Sequence, residues 1–381
     1  MAPPFRKTSA RTDTLSEPII TIVLPTYQRP AMLRRAIRSV LDQTFPDFRV
    51  CIYDNASGDE TEAVVEGFRK RDSRLEYVCR PNNIGMSPNF VDGANRVETP
   101  YFSFLADDDL MLPHFLETAL SGFQRYPEAA LSILPTLCMN PRGLILLVTN
   151  LQWPEGLLLP PSGMLSALRY GNPGLQAMLI RKGVWDEFGG FDEATEPAEE
   201  YDFDLRVMAR LPVVVYKRPG AIQVVHRSTS TAAGGLNWVW PCFPRMIRKF
   251  QDMNLATAAR QEAIERLTRL LKRGLIVRVG LRSLSDGKWE DAQRAADLLE
   301  QECRLARPAR IIRAAAAICR RLPFLRLLPR ALLGLRNWQK TVRNMGLWWR
   351  YRSYAKLLRI SPVEVPKRQT RLAQTATHLE S

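Results

Sequence analysis

The sequence is poor in the residues that build metal clusters and membrane spans. Its 381 residues include three histidines and six cysteines. No two cysteines are spaced Cys-x-x-Cys, which excludes a zinc finger or ribbon. Their scatter predicts free thiols and a reducing, cytoplasmic setting, with Cys51 as a core thiol. No uninterrupted apolar stretch reaches the ~18–20 residues of a spanning helix. Residues 1–17 lack the apolar core of an export signal and predict a disordered start. No glycine-rich, lysine-containing phosphate loop lies near the N-terminus, which argues against a nucleotidyltransferase. One long segment also lacks acid: from Arg304 to Val363 there are 15 Lys or Arg and no Asp or Glu.

That block carries a charge equal to the whole formal net charge of +15. The remainder is therefore near neutral, and the basic face belongs to the C-terminal region. Hydrophobic content of 46% and charged content of 24% are those of a globular protein. The length predicts more than one unit. We divide the chain into a disordered N-terminus (1–17), two halves of an α/β domain (18–125 and 126–240), and a basic helical region (241–381).

Ile19 to Leu24 is a uniformly apolar, β-branched run stopped by Pro25, the pattern of a buried parallel strand. Helical spacing follows at 31–42. Strand and helix then alternate: 49–53, 60–71, 75–78, 89–97 and 101–105. This alternation predicts a right-handed, mostly parallel α/β sheet of Rossmann-like type with helices on both faces. Beyond it, strands are predicted near 131–134 and 213–216. Helices follow from Pro244, with one apolar periodicity over 264–284 and Pro308, Pro323 and Pro329 cutting the tail into short pieces. Ligands of parallel sheets bind at the carboxyl ends of the strands. Asp54, Asn83 and Asp107-Asp108-Asp109 all fall just past strand ends.

Three adjacent carboxylates repel unless a cation neutralises them, and oxygen-rich sites suit Mg2+ or Mn2+. The same triplet would also cap a helix starting near Leu110. Asp54 would accept from a base or ribose, or merely close an Asx turn. In Pro25-Thr26-Tyr27-Gln28-Arg29, Tyr27 would flank a base and Arg29 would meet a phosphate. Glu199, Glu200, Asp202 and Asp204 crowd one short segment. One of them would serve as a general base, or together they would form an acidic helix start. His226 follows the apolar run Ile222–Val225 and is a metal or phosphate contact, or structural.

Taken in order, these pieces resemble the family 2 inverting glycosyltransferases of GT-A fold. The resemblance rests on Ile22–Arg29, Val50–Thr61, Asn82–Gly85, Phe104–Asp109 and Phe188–Glu193, and covers about residues 19–235. It implies transfer of a sugar from a UDP-, GDP- or dTDP-sugar to a glycan or lipid-linked acceptor. Thr26, Tyr27 and Asp54 then match base and ribose contacts. Asp107 contacts the sugar or ribose, and Asp109 coordinates Mn2+ or Mg2+ with His226. The Gly189-Gly190 loop, with Glu199 and Asp202, falls on the acceptor side, and Glu200 matches the general base. Glu200 stands where the family more often has Asp, and the arginine that usually follows Asn83-Ile84-Gly85 is missing.

The tail interleaves arginine with Ile, Leu, Trp and Tyr. An anionic membrane surface through 304–363 fits that composition, placing the protein peripherally on the inner face of the cytoplasmic membrane. A helical subdomain packed on the rest fits it as well. Nucleic acid is not expected as a partner, because the acidic strand-end residues would be left without a role. A catalytically inactive nucleotide-binding module and a basic-tail polyanion binder are the alternatives.

Overall fold

The structure, a computed structural model, describes residues 17–225, 241–270, 277–301, 304–332, 334 and 345–360. Residues 1–16 of the predicted disordered start (1–17), and His226, lie outside the described residues. Strands β1 (Ile20–Thr26), β2 (Phe48–Asp54), β3 (Leu75–Cys79) and β4 (Tyr101–Phe104) are parallel. Between them lie helices α1 (Pro30–Leu41), α2 (Thr61–Arg69) and α3 (Met86–Asn95). The chain continues through β5 (Leu110–Met111), α4 (Phe115–Arg125), β6 (Leu131–Ile133), β7 (Thr136–Met139), β8 (Ile145–Val148) and β9 (Gly156–Leu158). Next come α5 (Ser162–Tyr170), β10 (Met178–Arg181), α6 (Lys182–Phe188), α7 (Glu199–Met208), β11 (Val213–Val215) and β12 (Ala221–Val224).

The main sheet has eight strands in the order β3-β2-β1-β4-β10-β6-β11-β9. Only β10 and β9 run against the rest, so the sheet is mostly parallel, as expected. It passes without a break from the first predicted half into the second. A smaller sheet, β5-β12-β7-β8, lies beside it.

Every residue of β1 is buried. Its side chains alternate between two cores, as a pleated strand requires. Ile20, Ile22 and Leu24 join Leu33, Ile37 and Phe115 from α1 and α4. Val23 joins Tyr53, Ala94 and Phe203 on the opposite face. Each such Ile or Leu contributes about 1.5–3 kcal/mol on burial. Pro30 opens α1, where the missing N–H costs nothing.

Two sequence expectations need correction. No helix starts near Leu110: Leu110 and Met111 pair with Ile222 and Ala221, so the acidic triplet precedes a strand and caps no helix. The periodicity over 264–284 falls on helices Thr257–Arg269 and Val277–Asp286, and residues 271–276 lie outside the described residues. Pro308 does not break the tail, because it sits in the first turn of the 16-residue helix Ala306–Arg321, where its N–H is not needed.

The C-terminal region has three attachments. Met246 and Phe250 of helix Cys242–Asp252 enter the same core as α5 and α7. Helices Val277–Asp286, Trp289–Gln301 and Ala306–Arg321 share a core of their own. Tyr351 and Leu358 bury against Ile145 and Val148 of the smaller sheet.

α3 packs close to β1 and β2 at Gly93. A Cβ there would lie 2.7 Å from Val23 Cγ1 and 2.9 Å from Tyr53 Cδ2. Gly93→Ala is expected to destabilise the fold by about 1–3 kcal/mol in urea unfolding. Gly67→Ala, where nothing lies within 4 Å, should stabilise α2 by about 0.5–1 kcal/mol through helix propensity.

Candidate active site

The carboxyl ends of β1, β2 and β4 open onto a cavity of about 760 Å3. Its walls carry Pro25, Thr26, Tyr27 and Arg29 from the β1 end and Asn83 from the loop after β3. Asp107, Asp108 and Asp109 follow β4, and Glu199 and Glu200 open α7. Residues predicted from four separate stretches therefore meet in one space.

Asp107 is held first. Thr26 Oγ1 donates to its Oδ2 at 2.8 Å and the Tyr27 N–H at 3.4 Å. Arg29 Nη1 reaches Asp107 Oδ1 at 3.2 Å and Asp108 Oδ2 at 3.3 Å. Arg35 donates to the Asp108 carbonyl at 3.1 Å. Asp109 is turned the other way, where its Oδ1 accepts the Val224 N–H of β12 at 2.9 Å.

Burial pushes the Asp107 carboxyl up to about 6, with Arg29 holding it down and Asp108 adding to the rise. Asp109 is driven well above the usual carboxylate range by burial and by Asp108, Asp107 and Glu200, and the Val224 N–H opposes this. Among the described residues no Lys or Arg pairs with Asp109. Glu200 keeps solvent contact through the cavity while protein surrounds it on the other sides. That desolvation, with the charge of Glu199, raises it to about 7.

The cavity wall thus carries five carboxylates, and Arg29 is the one cation among the described lining residues. No three His, Cys, Asp or Glu side chains among the described residues form a ready-made metal cage. This donor set suits a hard divalent cation that takes one or two carboxylates from protein and the rest from phosphate and water. A closed structural site would need more ligands than are present.

Three predicted residues do not line the cavity. Asp54 is buried and its oxygens are already used: Ser57 N–H and Oγ donate to Oδ1, and Tyr77 OH donates to Oδ2 at 2.7 Å. Ser57 Oγ also accepts the Gln28 N–H at 2.9 Å, so Asp54 shapes the loop that carries Tyr27. Asp202 is fully buried in ion pairs with Arg206 at 2.8 Å and Lys249 at 2.7 Å, which ties α7 to helix Cys242–Asp252. Gly190 has φ +62°, and a Cβ there would meet the Trp185 ring at 2.5 Å. Its role is to turn the chain so that Phe191 reaches the cavity wall. His226 lies outside the described residues, although its neighbour Val225 lines the cavity.

Sequence reasoning passed over Asn55 and Gln176. Asn55 donates to Asn83 Oδ1 and to the Gly85 carbonyl, both at 2.9 Å, and fixes that loop on the rim. Its position beside Asp54 was the available signal. Gln176 lines the cavity with a buried, unpartnered Nε2, and nothing in the local sequence marks it. Asn89, which also lines the cavity, donates to the Tyr53 carbonyl and accepts from Arg80 Nε at 2.6 Å.

Residues 21–146 match the model of glycosyl transferase family 2. The chain carries a family 2 glycosyltransferase domain. Over 104 residues the chain is 32% identical to a GalNAc(5)-diNAcBac-PP-undecaprenol beta-1,3-glucosyltransferase of Campylobacter jejuni. That match covers 27% of this chain and 34% of the relative, so the chain spans about a third of that relative's length. The structure resembles S. aureus TarS 1-349 in complex with UDP-GlcNAc, with TM-score 0.60 and 15% identity over 78% of this chain and 90% of that one. It also resembles the mannosyltransferase PcManGT of Pyrobaculum calidifontis in complex with GDP-Man and Mn2+, with TM-score 0.50 and 15% identity over 90% and 85% of the chains. The fold of this family 2 domain is GT-A.

Arg29 is the counter-charge that keeps Asp107 from rising further. Arg29→Gln should move the Asp107 titration upward from about 6, read by carboxyl carbon NMR. An unchanged or lower value would contradict the assigned pairing.

Proposed function

We propose that this chain transfers a sugar from a nucleoside-diphosphate sugar to an acceptor hydroxyl, with inversion at the anomeric carbon. The observation that carries this reading is the shared cavity, which joins the acidic triplet after β4 to Glu200 at the start of α7. The match to the family model and the GT-A neighbours bound to nucleotide sugars support the same chemistry.

In this reading Pro25, Thr26, Tyr27 and Arg29 hold the nucleotide beside Asn83. Asp54 acts on it through the loop it braces. Asp107 and Asp108 orient the donor sugar and phosphates. Asp109, with His226, is the candidate holder of Mn2+ or Mg2+, which when bound supplies positive charge to the departing diphosphate. Glu200 removes the acceptor's hydroxyl proton as that oxygen bonds to the anomeric carbon. The sugar–phosphate bond breaks on the opposite side, and its electrons leave with the diphosphate. Holding both reactants in one cavity supplies much of the rate gain as orientation. Glu199, Asp202 and Gly190 act on the acceptor side, the last two by fixing α7 and the turn into Phe191.

A raised value near 7 suits a base at neutral pH, because it is deprotonated yet still basic enough to accept a proton. We assign the acceptor to the glycan or lipid-linked class. The Campylobacter relative's name describes a lipid-linked saccharide substrate. Attachment to the inner face of the cytoplasmic membrane belongs to the same reading.

The test is sugar transfer or donor hydrolysis with Mn2+, using a panel of nucleotide sugars. Asp109→Ala and Glu200→Gln should each lower turnover by about 100-fold or more. Glu200→Gln should leave donor binding intact. Undiminished turnover in both variants would contradict the proposal. Because Glu200 must be ionised, wild-type turnover should rise with pH up to about 7 and then level off. Two pH units below that, it should be roughly 100-fold lower. An acidic limb that persists in a residually active Glu200→Gln enzyme would assign it to another group.

A further inference from the structure

Helix Ala306–Arg321 has two unlike sides. Ala309, Ile312 and Cys319 are buried, and Ala309 and Ile312 enter the core shared with helices Val277–Asp286 and Trp289–Gln301. On that side Arg313 is paired with Asp297 at 2.8 Å and with Glu300. The outward side carries Ile311, Ile318 and Leu322, which are 69%, 49% and 45% exposed. Their spacing of seven and four residues keeps them within about 40° of one line along the helix. The chain then turns through Pro323–Arg326 and presents Phe324, Leu327 and Leu328, each more than 60% exposed. Scattered exposed leucines need no explanation, but an apolar row of this length does.

The charges beside the row are all of one sign. Arg307, Arg310, Arg321 and Arg330 are exposed. Among the described residues none of them makes an ion pair. No acidic residue occurs from Arg304 to Val363 to neutralise them. An apolar row flanked by unpaired arginines matches a surface that is anionic outside and apolar within. Nucleic acid would supply the charge but nothing for Ile311, Phe324 and Leu327. A second copy of this basic face would supply the apolar contact but would repel.

We propose that helix Ala306–Arg321 and the turn after it lie in the plane of an anionic bilayer, with Ile311, Ile318, Leu322, Phe324, Leu327 and Leu328 in the acyl boundary and the arginines on headgroup phosphates. This rests on the reading of a glycosyltransferase that works at a membrane. It locates the contact on one face of the tail, away from the part that packs on the smaller sheet. Apolar insertion and basic contacts together give stable attachment, where either alone is marginal.

The test is co-sedimentation of the full chain with sucrose-loaded vesicles of phosphatidylglycerol and phosphatidylcholine. Wild type should pellet with the anionic vesicles, far less with phosphatidylcholine alone, and less as salt rises. Two variants read the two contributions: Ile311→Ser/Phe324→Ser/Leu327→Ser and Arg307→Gln/Arg310→Gln/Arg321→Gln. Each should weaken binding by about tenfold or more. Both should keep wild-type donor hydrolysis in lipid-free solution, since none of these residues lines the cavity. If the apolar variant loses its thermal transition, the arginine variant carries the test, because its changes are all on the surface. Absent pelleting at low salt, or wild-type binding by a folded variant, would overturn the proposal. So would RNA retention without vesicle binding, or a wild-type dimer that the apolar variant abolishes while still binding vesicles. Loss of hydrolysis in the wild type would instead strike the glycosyltransferase reading and leave vesicle binding as a separate result.

Discussion

The site depends on keeping five carboxylates in one cavity beside one arginine. Two like charges about 4 Å apart repel by roughly 4 kcal/mol at the effective dielectric near a protein surface. A hydrogen bond to a charged group returns about 1.5–3 kcal/mol. Arg29 and Thr26 therefore offset part of the cost for Asp107, whose carboxyl still rises to about 6, whereas Asp109 has only the Val224 N–H against a larger rise. The deficit is left facing the cavity, where a cation and a diphosphate would meet it. A protein built only for stability would have filled this position with an apolar side chain.

The rest of the architecture holds that arrangement in place. β1 and β4 end side by side in the sheet, which brings Thr26 under Asp107. The smaller sheet brings Val224 to Asp109 by pairing β12 with β5. On the far wall, Asp202 is held by Arg206 and Lys249 and locks α7, so the direction of Glu200 is fixed from behind. Phe104 and Phe191 stack with ring centroids 5.6 Å apart between the two walls and keep that floor apolar. Charge is confined to the cavity because its surroundings are closely packed.

Much of this was legible from local pattern. The parallel half of the sheet followed from apolar runs alternating with helical spacing, and the acidic triplet from its place after one such run. What escaped depends on distant partners. Leu110-Met111 looks like the start of a helix until Ala221-Ile222, about 110 residues later, pairs with it. Asp202 looks like one more acid at a helix start until Lys249 closes on it. Asp54 looks like a ligand contact, yet Tyr77 and Ser57 occupy its oxygens. Short sequence windows carry secondary structure and strand-end chemistry, but not which polar groups the fold will use for itself. The tail shows the same limit: composition left packing and membrane contact as rivals, and only the fold reveals that helix Ala306–Arg321 buries Ala309 and Ile312 while leaving Ile311 and Ile318 exposed.

With five carboxylates facing Arg29 alone among the described lining residues, the proposed site should take a nucleoside diphosphate best together with a divalent cation. Calorimetric titration of nucleoside diphosphates (UDP and GDP in turn), with and without Mn2+, tests it most directly. Binding of the preferred nucleotide should tighten by about tenfold or more with Mn2+. Equal affinity with and without the cation, for a nucleotide that does bind, would contradict the account.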